Sequence, residues 1–168
     1  VGTLVTDLQQ QILLVADDDK VEEVVTRLAR VGYDNAIGFL QGGFESWKHA
    51  GKEVDTIPTL SADALAVIAE NSPETFILDA RRKSEYDAEH IVDAVNIPLD
   101  YINDNMQSVP KDKPVYVHCA GGYRSMIFCS ILKARGFDNL IDVQGGFKAI
   151  KETGKFRITD YVCPTTML

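Results

Sequence analysis

A loop of small residues between two apolar segments constrains the fold of this chain more than any other feature. The segment 114–118 is short, β-branched and aromatic, which is typical of a buried strand. Apolar residues then recur at helical spacing over 125–135, and Gly136 stands where a helix would end. The loop 119–125 therefore joins the carboxyl end of a strand to the N-terminus of a helix.

The residues of this loop predict thiol chemistry. In order, the loop contains Cys119, Ala120, Gly121, Gly122, Tyr123, Arg124 and Ser125. Open α/β sheets bind ligands at the carboxyl ends of their strands, where loop N–H groups and a helix dipole stabilise an anion. A cysteine in that position has a lowered pKa and acts as a nucleophile at neutral pH. We therefore predict that Cys119 is catalytic, that the loop binds an anion, and that Arg124 adds a fixed positive charge.

Strand and helix patterns alternate along the chain. The patterns predict strands at 12–16, 36–40, 75–79, 94–96, 115–119 and 140–143, and helices at 20–31, 44–50, 61–70, 84–88, 124–135 and 146–152. Such alternation favours an α/β fold, in which a parallel sheet carries helices on both faces. Ser61 is the expected N-cap of the helix at 61–70.

Several short motifs accompany the cysteine loop in a fixed order over residues 59–156. They are Asp79-Ala80-Arg81 at the end of a strand, Glu85-Tyr86, His90-Ile91, the run from Ala94 to Leu99, and Gln144-Gly145-Gly146-Phe147. Together with the cysteine loop, these motifs resemble the rhodanese family of sulfurtransferases. Two positions depart from the family pattern, because Val92-Asp93 replaces the usual Pro-Gly and Ile150 stands where an aromatic residue is common. Neither departure lies in the cysteine loop.

The resemblance implies a complete rhodanese-like catalytic domain at 61–157. Cys119 would carry a persulfide during turnover, taking a sulfane sulfur from thiosulfate or a persulfide donor and giving it to cyanide, sulfite or a thiol. Residues 120–125 would line the substrate-binding and anion-binding loop, and no metal or organic cofactor is implied. Asp79 and Arg81 are expected to hold loops by ion pairing, and Arg81 is also a candidate substrate contact.

Two other functions stay open for the same loop. A phosphatase or arsenate reductase on this fold has five residues between its cysteine and its arginine. Four residues separate Cys119 from Arg124, and this shorter loop suits a single sulfur atom better than a phosphate. The other alternative is a non-catalytic docking module. His118 precedes the cysteine on the strand and so faces the opposite side of the sheet. This position favours a structural histidine whose ring nitrogens are hydrogen-bonded over a general base.

An internal repeat relates the N-terminal region to the cysteine loop. Gly32-Tyr33-Asp34-Asn35 matches Gly136-Phe137-Asp138-Asn139, and Gln41-Gly42-Gly43-Phe44 matches Gln144-Gly145-Gly146-Phe147. In this alignment Val15 occupies the place of Cys119, and three aspartates at 17–19 replace the small loop residues. We therefore expect residues 1–52 to form a partial, inactive rhodanese-like unit that contains only the back half. A linker is expected at 53–60.

The first repeat lacks a front half, and the chain starts at Val1, so we expect a fragment of a longer protein. An inactive and an active rhodanese unit in tandem resemble the C-terminal part of fusion proteins that begin with a metallo-β-lactamase-like persulfide dioxygenase. The His-x-His-x-Asp-His pattern of that module is absent from this sequence. An upstream module of the same polypeptide is therefore the expected macromolecular partner.

Composition and charge exclude several classes of function. The net charge of −8 argues against a nucleic-acid partner, and no apolar run approaches the ~20 residues of a membrane span. The three cysteines show no Cys-x-x-Cys spacing and are odd in number, which favours a reducing, cytoplasmic location. Cys129 is expected in the core, and Cys163 is expected to be exposed in a tail at 158–168. The aspartates at 17–19 lack the glycine and terminal glutamate of a calcium loop, so no metal site is predicted.

Overall fold

A computed structural model describes residues 1–2 and 4–163 of the chain. The chain divides into two compact units, Val1–Thr56 and Ile57–Leu168, called the N-terminal unit and the C-terminal unit below. The C-terminal unit begins inside the segment that the sequence predicts as a linker. None of the helices formed by the described residues is long and apolar enough to cross a membrane.

The N-terminal unit is a strand–helix–strand–helix arrangement. Its elements are β1 (Ile12–Leu14), α1 (Val21–Ala29), β2 (Ala36–Phe39) and α2 (Gly43–His49). The strands β1 and β2 pair in parallel as a two-stranded sheet. Helix α1 packs on one face of this sheet, where Leu14, Leu28 and Tyr33 form a small buried cluster. The opposite face carries exposed apolar side chains, including Leu13 and Ile37.

The C-terminal unit contains the larger sheet. Its elements are β3 (Thr59–Leu60), α3 (Ala62–Asn71), β4 (Phe76–Asp79), α4 (Lys83–Ala88), β5 (Val95–Asn96), α5 (Ile102–Asn105), β6 (Val115–His118), α6 (Tyr123–Lys133), β7 (Leu140–Val143) and α7 (Gly146–Thr153). Five parallel strands lie in the order β3-β7-β6-β4-β5. The central strand β6 is buried along its whole length, as its β-branched and aromatic sequence predicts.

Helices cover both faces of the larger sheet. On one face, Phe128 and Leu132 of α6 pack against Leu78 and Val117. On the other face, Leu65 of α3 and the apolar residues of α7 pack against the alternate strand positions. This arrangement follows from the period of two along each strand, which sends neighbouring side chains to opposite faces. The predicted α/β fold with a parallel sheet and helices on both faces is confirmed.

The boundaries of the predicted helices and strands fall close to the observed ones, and the main differences are short elements. Strand β3 lies in the segment predicted as a linker, where two residues after Pro58 give no periodic pattern. Helix α5 and the 3-10 turns at Leu99–Tyr101 and Met106–Ser108 are likewise too short to predict. Ser61 caps α3 as expected, because its hydroxyl accepts a hydrogen bond from the Ala64 N–H at 3.2 Å.

The structure corrects one detail of the repeat. The carbonyl of Ala16 lies against Gly43 in the same way that the carbonyl of Cys119 lies against Gly146. The place of Cys119 is therefore taken by Ala16, and the prediction that Val15 takes it is wrong. The physical reason is a segment that is one residue shorter, since Gly32 lies 16 positions after Ala16 whereas Gly136 lies 17 positions after Cys119.

The first turn of α7 forms hydrogen bonds with the backbone of the cysteine loop. The N–H of Phe147 donates to the carbonyl of Cys119 at 2.6 Å, and the N–H of Lys148 donates to the carbonyl of Ala120 at 3.2 Å. Gly146 permits this approach, because its φ is +58° and a Cβ there would lie 2.8 Å from the carbonyl carbon of Ala120. Only glycine accommodates both the positive φ and the contact.

Replacing Gly146 with alanine should lower the free energy of unfolding by roughly 3 kcal/mol or more, because strain and a backbone clash add together. Gly154→Ala is the matched control. Gly154 ends the same helix with a similar φ of +61°, but a Cβ there meets nothing within 4 Å. The control should lose only about 1 kcal/mol. Urea denaturation measures both, and equal losses in the two variants would contradict the clash.

Candidate active site

Cys119 stands immediately after β6, at the carboxyl edge of the sheet. The residue is only 1% exposed. Its Sγ accepts a hydrogen bond from the N–H of Gly122 at 3.2 Å, and the Ser125 hydroxyl lies 3.6 Å away. Gly122 immediately precedes α6 with a φ of +104°, a conformation that turns its N–H back toward the sulfur. The loop and the helix start are thus arranged around the thiol, as the sequence predicts.

The hydrogen bonds around Cys119 lower its pKa. Burial is the largest single influence and opposes thiolate formation. The Ser125 hydroxyl and three backbone N–H groups together outweigh the burial, so that the pKa of Cys119 lies below its ordinary value. Those N–H groups belong to Gly121, Gly122 and Ser125. The backbone and Ser125 therefore stabilise the thiolate, a role that the sequence assigns in part to Arg124.

Arg124 is held by a partner that the sequence motifs do not identify. Its guanidinium donates two hydrogen bonds to the carboxylate of Glu85, at 2.6 and 2.8 Å. This contact is the main reason that the pKa of Glu85 is lowered, with burial acting in the opposite direction. Glu85 also accepts a hydrogen bond from the Arg82 N–H at 3.2 Å, at the start of α4. The positive charge of Arg124 is thus shared between Glu85 and the thiol side of the loop.

Asp79 and Arg81 form a buried ion pair at the end of β4. The Nη2 of Arg81 lies 2.6 Å from Oδ2 of Asp79, and both side chains are almost fully buried. Arg81 also donates to the carbonyl of Glu89 at 2.8 Å and stacks on the Phe147 ring at 3.9 Å. The amide of Asn96 donates to the carbonyls of Asp79 and Arg81. The pair therefore ties the β4, β5 and α7 segments together, as an ion pair that holds loops would.

His118 lies on the opposite face of the sheet from the core under α6, as its position on β6 predicts. It is fully buried, and its ring stacks near that of Phe147 with 6.0 Å between the ring centroids. Burial lowers the pKa of His118, so the ring is neutral at neutral pH. The expectation of a fully satisfied histidine is wrong in one respect. Among the described residues, its Nε2 has no hydrogen-bond partner and lies 3.9 Å from the Asp79 carboxylate.

A cleft of about 600 Å³ opens beside the cysteine loop. Its lining includes Arg81, Glu85, Ala120, Phe147, Lys148 and Lys151. Tyr123 is 81% exposed and projects from the loop into solvent. The cleft therefore brings three cationic side chains, three glutamates and the Phe147 ring close to the residue that follows the thiol. This region is wide enough for a small molecule, since ligand sites commonly measure about 300–1,000 Å³.

The other two cysteines differ sharply from Cys119. Cys129 is fully buried in the core under α6, and burial raises its pKa to about 12. Cys163 is exposed in the C-terminal segment. Cys119 combines a lowered pKa with hydrogen bonds to its sulfur, whereas the pKa of Cys129 is raised. Within residues 1–2 and 4–163, no cluster of three or more His, Cys, Asp or Glu side chains could hold a metal ion.

The comparison with known families decides where the chain belongs. Residues 61–153 match the family model described as Rhodanese-like domain. The chain belongs to the rhodanese-like domain family. A sulfurtransferase of Allochromatium vinosum is 27% identical over 90 residues, which cover 54% of this chain and 84% of that protein.

Two further relatives extend this likeness. YqhL, an uncharacterized protein of Bacillus subtilis, is 33% identical over 72 residues, which cover 43% of this chain and 57% of YqhL. The alignment thus spans less than two thirds of YqhL. The crystal structure of a rhodanese-like domain protein from Staphylococcus aureus is 34% identical with a TM-score of 0.53, covering 56% of this chain and 91% of that one. Of the three proteins compared, the relative from Allochromatium vinosum is named a sulfurtransferase.

Glu85→Gln should lower the pKa of Cys119 further. The amide keeps the cap of α4 but removes the negative charge that holds Arg124, so the guanidinium charge acts more fully on the thiolate. The rate of alkylation by iodoacetamide, measured against pH, reports the thiolate fraction. Asp87→Asn is the matched control, since Asp87 lies on the same helix and pairs with Lys83 at the surface. An unshifted profile in Glu85→Gln would show that Glu85 does not restrain Arg124.

Proposed function

We propose that this protein is a sulfurtransferase that moves a sulfane sulfur through a persulfide on Cys119. The observation that carries the proposal is the setting of the thiol. Its sulfur accepts a hydrogen bond from the Gly122 N–H at 3.2 Å, and the surrounding loop lowers its pKa. Backbone N–H groups that already point at the sulfur need no rearrangement when charge develops there.

The reaction proceeds in two displacements. The Cys119 thiolate attacks the outer sulfur of thiosulfate or of a persulfide, and the sulfur–sulfur bond of the donor breaks. Sulfite, or a thiolate, leaves with the bonding electron pair, and the enzyme carries an anionic persulfide. Cyanide, sulfite or a thiol then attacks the terminal sulfur, and Cys119 regains its electron pair as a thiolate. The two steps together give ping-pong kinetics and consume no external oxidant.

The cleft beside the loop supplies the binding site for the donor. Arg81, Lys148 and Lys151 on its lining are balanced by Glu85, Glu89 and Glu152, so the loop N–H groups rather than the walls of the cleft favour an anionic donor such as thiosulfate. Phe147 and Ala120 provide apolar contact area. The loop supports sulfur rather than phosphate as the transferred group, because only four residues separate Cys119 from Arg124 and Glu85 accepts from two of the five N–H donors of Arg124.

Cys119→Ser should abolish both persulfide formation and sulfur transfer to cyanide, because the hydroxyl of serine is not ionised at neutral pH. Intact mass after incubation with thiosulfate should show the gain of one sulfur atom in the unmodified chain and none in the variant. Cys163→Ser is the control, since that thiol is exposed and lies in the C-terminal segment. Sulfur loading that survives in a folded Cys119→Ser chain would refute the assignment.

We further propose that the N-terminal unit is a partial, inactive rhodanese-like unit. Ala16 replaces the nucleophile, and three aspartates follow it. The carboxylate of Asp18 accepts a hydrogen bond from the Gly42 N–H at 2.8 Å, so it acts as a structural bridge within the unit. Negative charge in this loop disfavours both a thiolate and an anionic donor. This unit therefore serves as a structural element.

An exposed apolar face of the N-terminal unit supports the proposal that another segment packs on it. This face, called the open face, consists of Leu13, Val15, Ile37, Phe44 and Trp47, whose exposed fractions range from 43% to 73%. For four of these residues the corresponding positions of the C-terminal unit are Tyr116, His118, Phe147 and Ile150, and all four are at most 8% exposed. There, α3 packs over them. We propose that an upstream part of the same polypeptide supplies an equivalent strand and helix.

The open face should bind the dye ANS in this chain, because the dye reports clustered exposed apolar surface. The double variant Ile37→Ser/Phe44→Ser should lose most of that fluorescence, whereas Val67→Ser, an exposed valine on α3, should not. In a chain extended upstream, dye binding should fall, and Trp47, the single tryptophan, should be protected from acrylamide quenching. An extended chain with an unprotected Trp47 would contradict the upstream partner.

A further inference from the structure

The segment 157–162 follows α7 and runs back across the C-terminal unit to the cleft beside the cysteine loop. It lies antiparallel to the residues that follow α4, with a bridge between Ile158 and Ile91. Two backbone hydrogen bonds, one before and one after Tyr161, hold the segment in place. They run from the Thr159 N–H to the His90 carbonyl at 2.9 Å and from the Val162 N–H to the Ala88 carbonyl at 2.8 Å.

Tyr161 brings a second aromatic ring to the cleft. It lines the cleft together with Phe147 and Ala120. The residue is 66% exposed, although the backbone on both sides of it is held in place. It lies beyond residues 61–153, which match the family model, so this contact comes from outside the matched domain. An exposed ring in a cleft leaves apolar surface in water, and a ligand that covers this surface gains free energy.

The charged side chains of the cleft are largely paired. Three of the lining residues have these ion-pair partners: Arg81 with Asp79 at 2.6 Å, Glu85 with Arg124 at 2.6 Å, and Lys151 with Glu89 at 2.7 Å. Such pairs carry little net charge, so the walls of the cleft offer a ligand chiefly apolar contact. The two rings, Tyr161 and Phe147, supply most of it.

We propose that Tyr161 is a specificity-determining residue, and that the cleft takes sulfane-sulfur donors with an apolar organic body. The loop N–H groups bind the anionic sulfur end of the donor, and the organic body contacts the Tyr161 and Phe147 rings. This inference rests on the proposed sulfur transfer, because it names the class of donor for that reaction. Inorganic thiosulfate has no organic body and gains nothing from Tyr161.

Organic thiosulfonate anions are donors of this class and serve as probes. The Cys119 thiolate attacks the terminal sulfur of the thiosulfonate, and the sulfur–sulfur bond breaks. The sulfinate leaves with the bonding electron pair, and Cys119 carries an anionic persulfide. Two negative charges are present before and after the step, and no external oxidant or reductant takes part.

The test compares benzenethiosulfonate with methanethiosulfonate in sulfur transfer to cyanide. Tyr161→Ala should lower the ratio of their kcat/KM values about fivefold, the scale of one aromatic contact, because only the benzene ring reaches Tyr161. Tyr161→Phe keeps the ring and should keep the ratio. Comparing the ratio between chains cancels the difference in intrinsic reactivity of the two donors. A purely structural role of Tyr161 would slow both donors equally and leave the ratio unchanged.

Tyr101→Ala is the matched control for this comparison. Tyr101 is 58% exposed, much as Tyr161 is, but it is not part of the cleft lining. The control should therefore keep the donor ratio of the unmodified chain. An unchanged ratio in Tyr161→Ala, or an equal fall in Tyr101→Ala, would overturn the role of Tyr161.

Protection of Cys119 from iodoacetamide gives a measurement that needs no sulfur transfer. Benzenesulfonate has no sulfur to donate, and it should protect Cys119 at a lower concentration than methanesulfonate does. Tyr161→Ala should remove most of this difference, and peptide mass separates alkylation of Cys119 from that of Cys163. Equal protection by the two sulfonates in the unmodified chain would contradict the proposal. If protection depends on Tyr161 but no sulfur is transferred, the proposed function fails while the specificity of the cleft stands.

Discussion

The contact between the first turn of α7 and the carbonyls of Cys119 and Ala120 underlies the whole site. It stops β6 from continuing as a strand and turns the loop so that its N–H groups face the thiol. The contact depends on a glycine at 146, because any Cβ there would meet the loop backbone. The same helix turn brings Phe147 under the Arg81 guanidinium. One close backbone approach thus positions the nucleophile, the cleft and the buried ion pair together.

The charged groups around the thiol are arranged in pairs, so that little net charge is buried. Arg81 is neutralised by Asp79, and Arg124 by Glu85. Removing one member of a buried pair leaves an uncompensated charge, which usually destabilises more than the intact pair stabilises. The thiolate of Cys119 differs, because loop N–H groups and the Ser125 hydroxyl stabilise it together with the part of the Arg124 charge that Glu85 does not neutralise.

The sequence predicts the fold class and the cysteine loop well, because both depend on local patterns. The strand 115–118, the glycines at 121 and 122 and the start of α6 all lie within a few residues of one another. The contacts that the loop makes with other helices and strands are harder to predict from the sequence. Glu85 is visible in a motif, but its bond to Arg124 spans 39 positions of the chain. Ala16 corresponds to Cys119 because the segment that follows it is one residue shorter, and the sequence matches at Gly32 and Gly136 do not show where that residue is missing.

The order of the strands has a consequence for how the site forms in time. All pairings in the larger sheet are parallel, and β6, the third strand in the order, pairs with β4 and β7 across long stretches of chain. Parallel sheets fold slowly, because each pairing must close a long loop, at a cost in chain entropy, before its stabilising contacts form. The groups around Cys119 come from β4, α4, α6 and β7, so they meet only when these pairings are complete. Thiol reactivity should therefore develop late in folding and serve as a kinetic marker of the native state.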